Sequence, residues 1–246
     1  MIRAIVFLIV LVVLTVFHGS KLIIAATLGV KNKHGGLYDR TGHSWARSLL
    51  KVSGVKVNTE GFENIPSGEP VVFVSNHQSF FDILAVLLVV PDTFRFVAKK
   101  ELANIPVFGS SLKAAGHIYI DRQHRQAAFE SYEQAAKVIQ SGMSAVVFVE
   151  GTRSRTGHLL PFKKGPFVLA IVAQVPVIPI YCANTFAILP KGHLRIRPRP
   201  ITLYFGEPIF TTGMVYEDRD RLLTEARTVI ERFRDETARR SQQVEN

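Results

Sequence analysis

The first thirty residues are apolar with one interruption. Residues 4–17 carry no charge, the polar stretch His18-Gly19-Ser20-Lys21 follows, and a second apolar run covers residues 22–30. No acidic residue appears before Asp39. About fourteen helical residues reach ~21 Å, short of the ~30 Å hydrocarbon core of a bilayer, whereas both runs joined reach ~40 Å. The pattern predicts a retained membrane anchor in one of two forms. A single tilted crossing would place Lys21 in the membrane at ~3 kcal/mol unless it snorkels. A hairpin of two short helices in one leaflet avoids that cost, and the break at 18–21 favours it. Phe17-His18-Gly19 is a poor small-x-small cleavage site, which argues against a removed leader.

Beyond Thr41 the pattern turns amphipathic. Trp45, Leu49 and Val52 share one helical face with Ala46 and Leu50 beside them, while Arg47 and Lys51 face elsewhere. Such a helix either lies in the membrane interface with Trp45 at headgroup depth or packs on the rest of the protein. Gly54, Gly61 and Pro66-Ser67-Gly68 then separate an N-terminal anchoring unit, residues 1–60, from a globular unit, residues 61–246. In the globular unit, strand patterns at 71–75, 94–98, 117–121, 145–149, 177–181, 194–197 and 201–205 alternate with helical patterns at 79–89, 123–141, 167–174 and 218–240. This predicts an α/β fold: a mostly parallel or mixed central sheet flanked by helices, preceded by the membrane-anchoring helical segment. Chemistry in such a fold belongs to the loops beyond the C-terminal ends of strands.

Composition narrows the function. Of 246 residues 47% are hydrophobic, enough for one full-sized core, so wholesale disorder is excluded. The single cysteine, Cys182, excludes a disulfide framework and a cysteine-based zinc cluster. A net charge of +10 calls for an anionic partner: nucleic acid, an acidic membrane surface or a phosphorylated substrate. GxSxG, P-loop, HExxH, CxxC and GxGxxG motifs are all missing. Serine-hydrolase, nucleotide-hydrolase, zincin and dinucleotide readings thereby lose their sequence support.

Four segments carry what remains. In Ser75-Asn76-His77-Gln78-Ser79-Phe80-Phe81-Asp82 the histidine follows an apolar strand and the aspartate lies five positions on. A turn between them would let the carboxylate orient the imidazole as a general base; alternatively Ser79-x-x-Asp82 is a helix capping box and His77 a loop residue. Gly116-His117-Ile118-Tyr119-Ile120-Asp121-Arg122 places an arginine just after a strand, with Lys99 and Lys113 upstream. Val149-Glu150-Gly151-Thr152-Arg153-Ser154 offers a glycine for close backbone approach, two hydroxyls and a guanidinium able to clamp a phosphate, or else a local Glu150–Arg153 ion pair. Val177-Ile178-Pro179-Ile180 reads as a buried strand.

In order and spacing, these segments over residues 70–181 resemble the blocks of the glycerolipid acyltransferase family, most closely its bacterial 1-acyl-sn-glycerol-3-phosphate acyltransferases. Asn76-His77 with Asp82 is similar to its NHxSxxD block, and Glu150-Gly151-Thr152-Arg153 to its third. Gly206-Glu207-Pro208-Ile209 is similar to its closing segment. Val149, where the family commonly has proline, and Tyr119, where it has phenylalanine, depart from the pattern. The resemblance implies transfer of a fatty acyl group from acyl-CoA or an acyl carrier protein to the 2-hydroxyl of lysophosphatidic acid, giving phosphatidic acid. It assigns His77 as base with Asp82 orienting it. Arg122 and Arg153 hold the acceptor phosphate, with Lys99 a further phosphate candidate, and Glu150, Gly151 and Thr152 shape the glycerol pocket. No metal and no bound cofactor are implied. The partners implied are membrane lipids and the two substrates, not nucleic acid, at the cytoplasmic face of the cell inner membrane. Glycerol-3-phosphate or another lysophospholipid as acceptor, a membrane-bound thioesterase, and a basic membrane adaptor are the alternatives.

Overall fold

A computed structural model describes residues 2–91, 93–120 and 125–245. The chain begins with α1 (Ile2–Thr27) and α2 (Leu37–Ser53). Then come β1 (Val57–Glu60), β2 (Val72–Ser75), α3 (Phe81–Val89), β3 (Phe94–Lys99), α4 (Phe108–Ala114), β4 (Ile118–Ile120), α5 (Arg125–Gln140) and β5 (Ser144–Phe148). It ends with α6 (Gly165–Ala173), β6 (Val177–Ala183), the single turn α7 (Thr185–Ile188), β7 (Ile201–Phe205) and α8 (Arg219–Glu245). Among the described residues the strands form one sheet in the order β1-β7-β6-β2-β5-β3-β4, parallel except where β6 meets β7. Alternation along each strand sends Val72 and Val74 toward one apolar layer, with Ile139, Leu169 and Leu222, and Val71 and Phe73 toward the other, with Leu49, Phe81 and Leu84. Both faces are covered, as a parallel sheet requires.

The expected strand at 194–197 does not form. Leu194, Arg195 and Arg197 are exposed there, Ile196 alone is buried, and Pro198 and Pro200 cannot donate to a ladder. β1 had no detectable pattern because it is a polar edge strand, paired only with β7 and exposed at three of its four positions.

The N-terminal region differs most from expectation. The two apolar runs form one helix, so the break at 18–21 makes no hairpin. Gly19 and Ser20 cost at most ~1 kcal/mol each inside a helix. Gly19 offsets this by letting α1 approach the α4 region, where a Cβ would come within 2.8 Å of Val107 Cγ1. α2 packs inward rather than lying at an interface. Trp45 is buried, its Nε1 donates to Thr15 Oγ1 on α1 at 3.1 Å, and its ring meets Phe80 edge-on. The buried stripe runs through Tyr38, Thr41, Trp45 and Leu49, leaving Val52 exposed.

A buried arginine ties this region to the sheet. Arg95 of β3 is 2% exposed, and its Nη1 lies 3.0 Å from Asp39 Oδ1 on α2. Nη2 donates to Asn32 Oδ1 at 2.8 Å, and the Asn32 amide donates to Ala115 O at 2.9 Å. Removing one partner of such a pair strands a charge away from water, so Asp39→Asn is expected to cost about 3 kcal/mol. Thermal denaturation in detergent should show that loss, and adding Arg95→Met should recover most of it.

Candidate active site

The register between β2 and β5 builds the site. Ser75 pairs with Phe148 in parallel, so His77 and Glu150 each emerge two residues later on neighbouring strands. Side chains extend the ladder past the strand ends. The His77 N–H donates to Glu150 Oε1 at 2.7 Å, and the Ser154 N–H donates to His77 O at 2.9 Å. On the other flank the buried Asn76 side chain accepts from Cys182 N–H at 2.7 Å and donates to Cys182 O at 3.2 Å, fastening the turn to β6.

His77 and Asp82 meet. Asp82 Oδ2 lies 2.8 Å from His77 Nδ1 and also accepts the N–H groups of Gln78 at 2.6 Å and Ser79 at 2.8 Å. The turn forms as the general-base reading requires, whereas the capping box does not, since α3 is capped by Phe80 without a side-chain bond. The aspartate gathers the N–H groups of the turn and the imidazole on one oxygen. A carboxylate opposite Nδ1 fixes the proton there and leaves the lone pair on Nε2. The ring stacks on Phe148 at 4.0 Å and 15°, which removes its freedom to rotate. His117 is a different kind of histidine. Its Nδ1 accepts the Phe96 N–H at 3.0 Å, and burial with Arg95 nearby lowers its pKa to about 3.

Glu150, to which the resemblance gives a part in shaping the glycerol pocket, is 2% exposed and sits behind His77, outside the lining of the cavity beside it. Its second oxygen accepts the Leu160 N–H at 2.8 Å, so one carboxylate holds two active-site turns. Burial raises its pKa to about 7 despite both N–H donors. Gly151 follows at φ +71°, a left-handed position that turns the chain back over the site.

A cavity of ≈ 530 Å³ opens beside His77. Lys99, Gly151, Thr152 and Arg153 line it with His77, so five of the expected site residues share one space. Arg122 lies outside the described residues. The lining also includes Lys191, which the sequence did not single out. Its Nζ is 2.9 Å from Thr152 Oγ1 and 3.5 Å from Arg153 O, and the loop that carries it matches no motif pattern. Much of the remaining wall is apolar, supplied by Leu22 of α1, Trp45 of α2, Ile83 and Leu87 of α3, and Phe108 and Leu112 of α4.

A covered, mostly parallel sheet with a histidine–carboxylate pair just past a strand end is the plan of an α/β enzyme. Residues 56–183 match the model of the Acyltransferase family, and the chain belongs to that family. It is 37% identical over 180 residues to a 1-acyl-sn-glycerol-3-phosphate acyltransferase of Cocos nucifera, covering 73% of this chain and 57% of that protein. It is 35% identical over 167 residues to 1-acyl-sn-glycerol-3-phosphate acyltransferase alpha of Mus musculus, covering 67% and 59%. The chain thus spans about three-fifths of the length of these relatives. The crystal structure of the 1-acyl-sn-glycerophosphate (LPA) acyltransferase PlsC from Thermotoga maritima superposes with a TM-score of 0.81 at 27% identity, over 96% of this chain and 95% of that one.

Glu150→Gln would keep the shape but turn an amide NH₂ toward one of two backbone donors, leaving a buried N–H unpaired at ~1–3 kcal/mol. Acyl transfer should fall about tenfold in kcat with little change in KM, as steady-state kinetics would report. The raised pKa has its own sign. Folding favours the neutral acid, so the wild type should lose melting temperature relative to Glu150→Gln as pH rises from 4.5 through about 7.

Proposed function

We propose that this chain transfers a fatty acyl group from an acyl thioester to the 2-hydroxyl of 1-acyl-sn-glycerol-3-phosphate, making phosphatidic acid for phospholipid biosynthesis. One observation carries the reading: a single cavity joins the His77 imidazole, the cations Lys99, Arg153 and Lys191, and a largely apolar wall. An amphiphile with an anionic head, a hydroxyl and a long chain matches those three surfaces. The relatives bearing this activity in their names agree with it.

In the reaction, His77 Nε2 takes the proton of the acceptor hydroxyl as its oxygen attacks the thioester carbonyl. The tetrahedral adduct collapses, the carbon–sulfur bond breaks, and the departing thiolate receives that proton from His77. Asp82 is a positioning residue that keeps the proton on Nδ1 and steadies the imidazolium between the two steps. No covalent nucleophile takes part. Cys182 is completely buried, and burial pushes its thiol well above the ordinary range. The chemistry asks for no metal and no bound cofactor. The donor is acyl-CoA or an acyl carrier protein, whose thioesters present the same reacting group.

We also propose that α1 lies in the cytoplasmic leaflet of the cell inner membrane. Leu8, Ile9, Val12, Val13 and Phe17 are each at least half exposed, an apolar face that water disfavours. The opposite face packs on the protein from Phe7 to Ala25. A full crossing would drag α2, with its exposed Arg40, Arg47 and Lys51, into hydrocarbon. Immersion along one side avoids that cost.

His77→Ala should lower acyl transfer by about 10²-fold or more while the protein stays folded, as its thermal transition would show. A loss under about tenfold in a coupled thiol-release assay would reject the mechanism. Val13→Glu with Phe17→Glu should abolish co-sedimentation with phospholipid vesicles and spare turnover of a short-chain, water-soluble acceptor.

A further inference from the structure

Lys191 lies eleven residues beyond Ile180, the end of the last of the four motif segments, yet it is built into the catalytic turn. After β6 and α7 the chain doubles back, and Ser79 Oγ donates to Leu189 O at 2.8 Å while Ser79 forms an isolated bridge with Pro190. The same Ser79 gives its N–H to Asp82 Oδ2. Lys191 is therefore placed by the turn that places His77. Its ammonium rests on Thr152 Oγ1 and the Arg153 carbonyl, both neutral acceptors.

Among the described residues, the charged groups that act on it are of its own sign. Arg155, Arg153 and Lys99 are those groups, Lys99 and Arg153 line the same cavity as Lys191, and among the described residues no ion pair links any of the four to a carboxylate. Lost hydration and these three cations hold the Lys191 ammonium below its ordinary value. Like charges gathered without a counter-ion repel one another, and an anion placed among them relieves that repulsion in proportion to its own charge. A dianion gains twice what a monoanion gains from each cation. A planar guanidinium such as Arg153 grips two oxygens of any phosphate; an ammonium on a flexible stem adds point charge with little demand on geometry.

We propose that Lys191 reads the acceptor phosphate as a dianionic monoester, swinging from Thr152 onto it, and so sets the preference for lysophosphatidic acid over lysolipids whose phosphate is a diester. This rests on the acyl-transfer reading above. Arg153 holds the phosphate in either case, and Lys191 discriminates.

The test compares two acceptors that differ by one charge: 1-oleoyl lysophosphatidic acid and its phosphate monomethyl ester. The full chain is assayed in mixed micelles as wild type, Lys191→Met and Lys191→Arg. The ratio of kcat/KM values for the two acceptors is read within each protein, so a change in folded fraction cancels. Wild type should favour the free phosphate, Lys191→Met should cut that ratio by about tenfold with the donor KM unchanged, and Lys191→Arg should keep most of it. An unchanged ratio in Lys191→Met, or a donor KM that rises with the acceptor KM, would overturn the assignment while leaving acyl transfer intact. Failure of the wild type to acylate either acceptor would overturn the functional reading and this assignment with it.

Discussion

Everything at the site depends on the parallel pairing of β2 with β5. Two adjacent strands that end level must release their chains side by side, and the N–H of His77 is then left without a ladder partner. A buried backbone donor has to be satisfied. Glu150 supplies the acceptor at 2.7 Å and, by reaching Leu160 with its other oxygen, also fixes the turn that brings Thr152 and Arg153 over the cavity. The hydrogen-bonding debt of one strand end thus positions both the imidazole and the cation clamp. Burying a carboxylate for this purpose disfavours its ionised form, which is why its pKa stands near 7.

The N-terminal helices are part of the same machinery. α1, α2 and α4 wall the cavity, and the Arg95–Asp39–Asn32 network locks them to β3 beside it. The apolar run that reads as an anchor in the sequence is therefore also a wall of the site. Gly19 shows the two roles meeting, since the residue that interrupts the hydrophobic pattern is the one that permits close packing near Val107.

What was legible in the sequence is what local chemistry encodes. The histidine and aspartate, the glycine-containing turn after β5 and the alternation of strands with helices depend on neighbours a few residues apart, and six of the seven strand patterns became strands. Features set by distant packing were not legible. The helix through 18–21 packs Gly19 against Val107 and Ser111, some ninety residues away, and Trp45 is buried between Thr15 of α1 and Phe80. Glu150 looks like a pocket residue until the β2–β5 register turns it toward His77. Lys191 sits in a Pro-flanked basic loop with a failed strand pattern, and the contacts of Ser79 with Leu189 and Pro190 bring it to the site.

Under the proposed function, the two-faced character of α1 has an energetic consequence for a lysolipid acceptor. Pulling a lysolipid fully into water would expose its tail at ~0.8 kcal/mol for each methylene, a sum that a modest binding site cannot recover. In the proposed placement of α1, a single layer of helix separates the bilayer from the apolar cavity, with Leu22 lining the cavity and Phe17 exposed on the outer face. A tail slipping past the edge of α1 exchanges one oily surrounding for another. On that reading only the phosphate and hydroxyl change environment, and the cations and the histidine that line the cavity match those two groups.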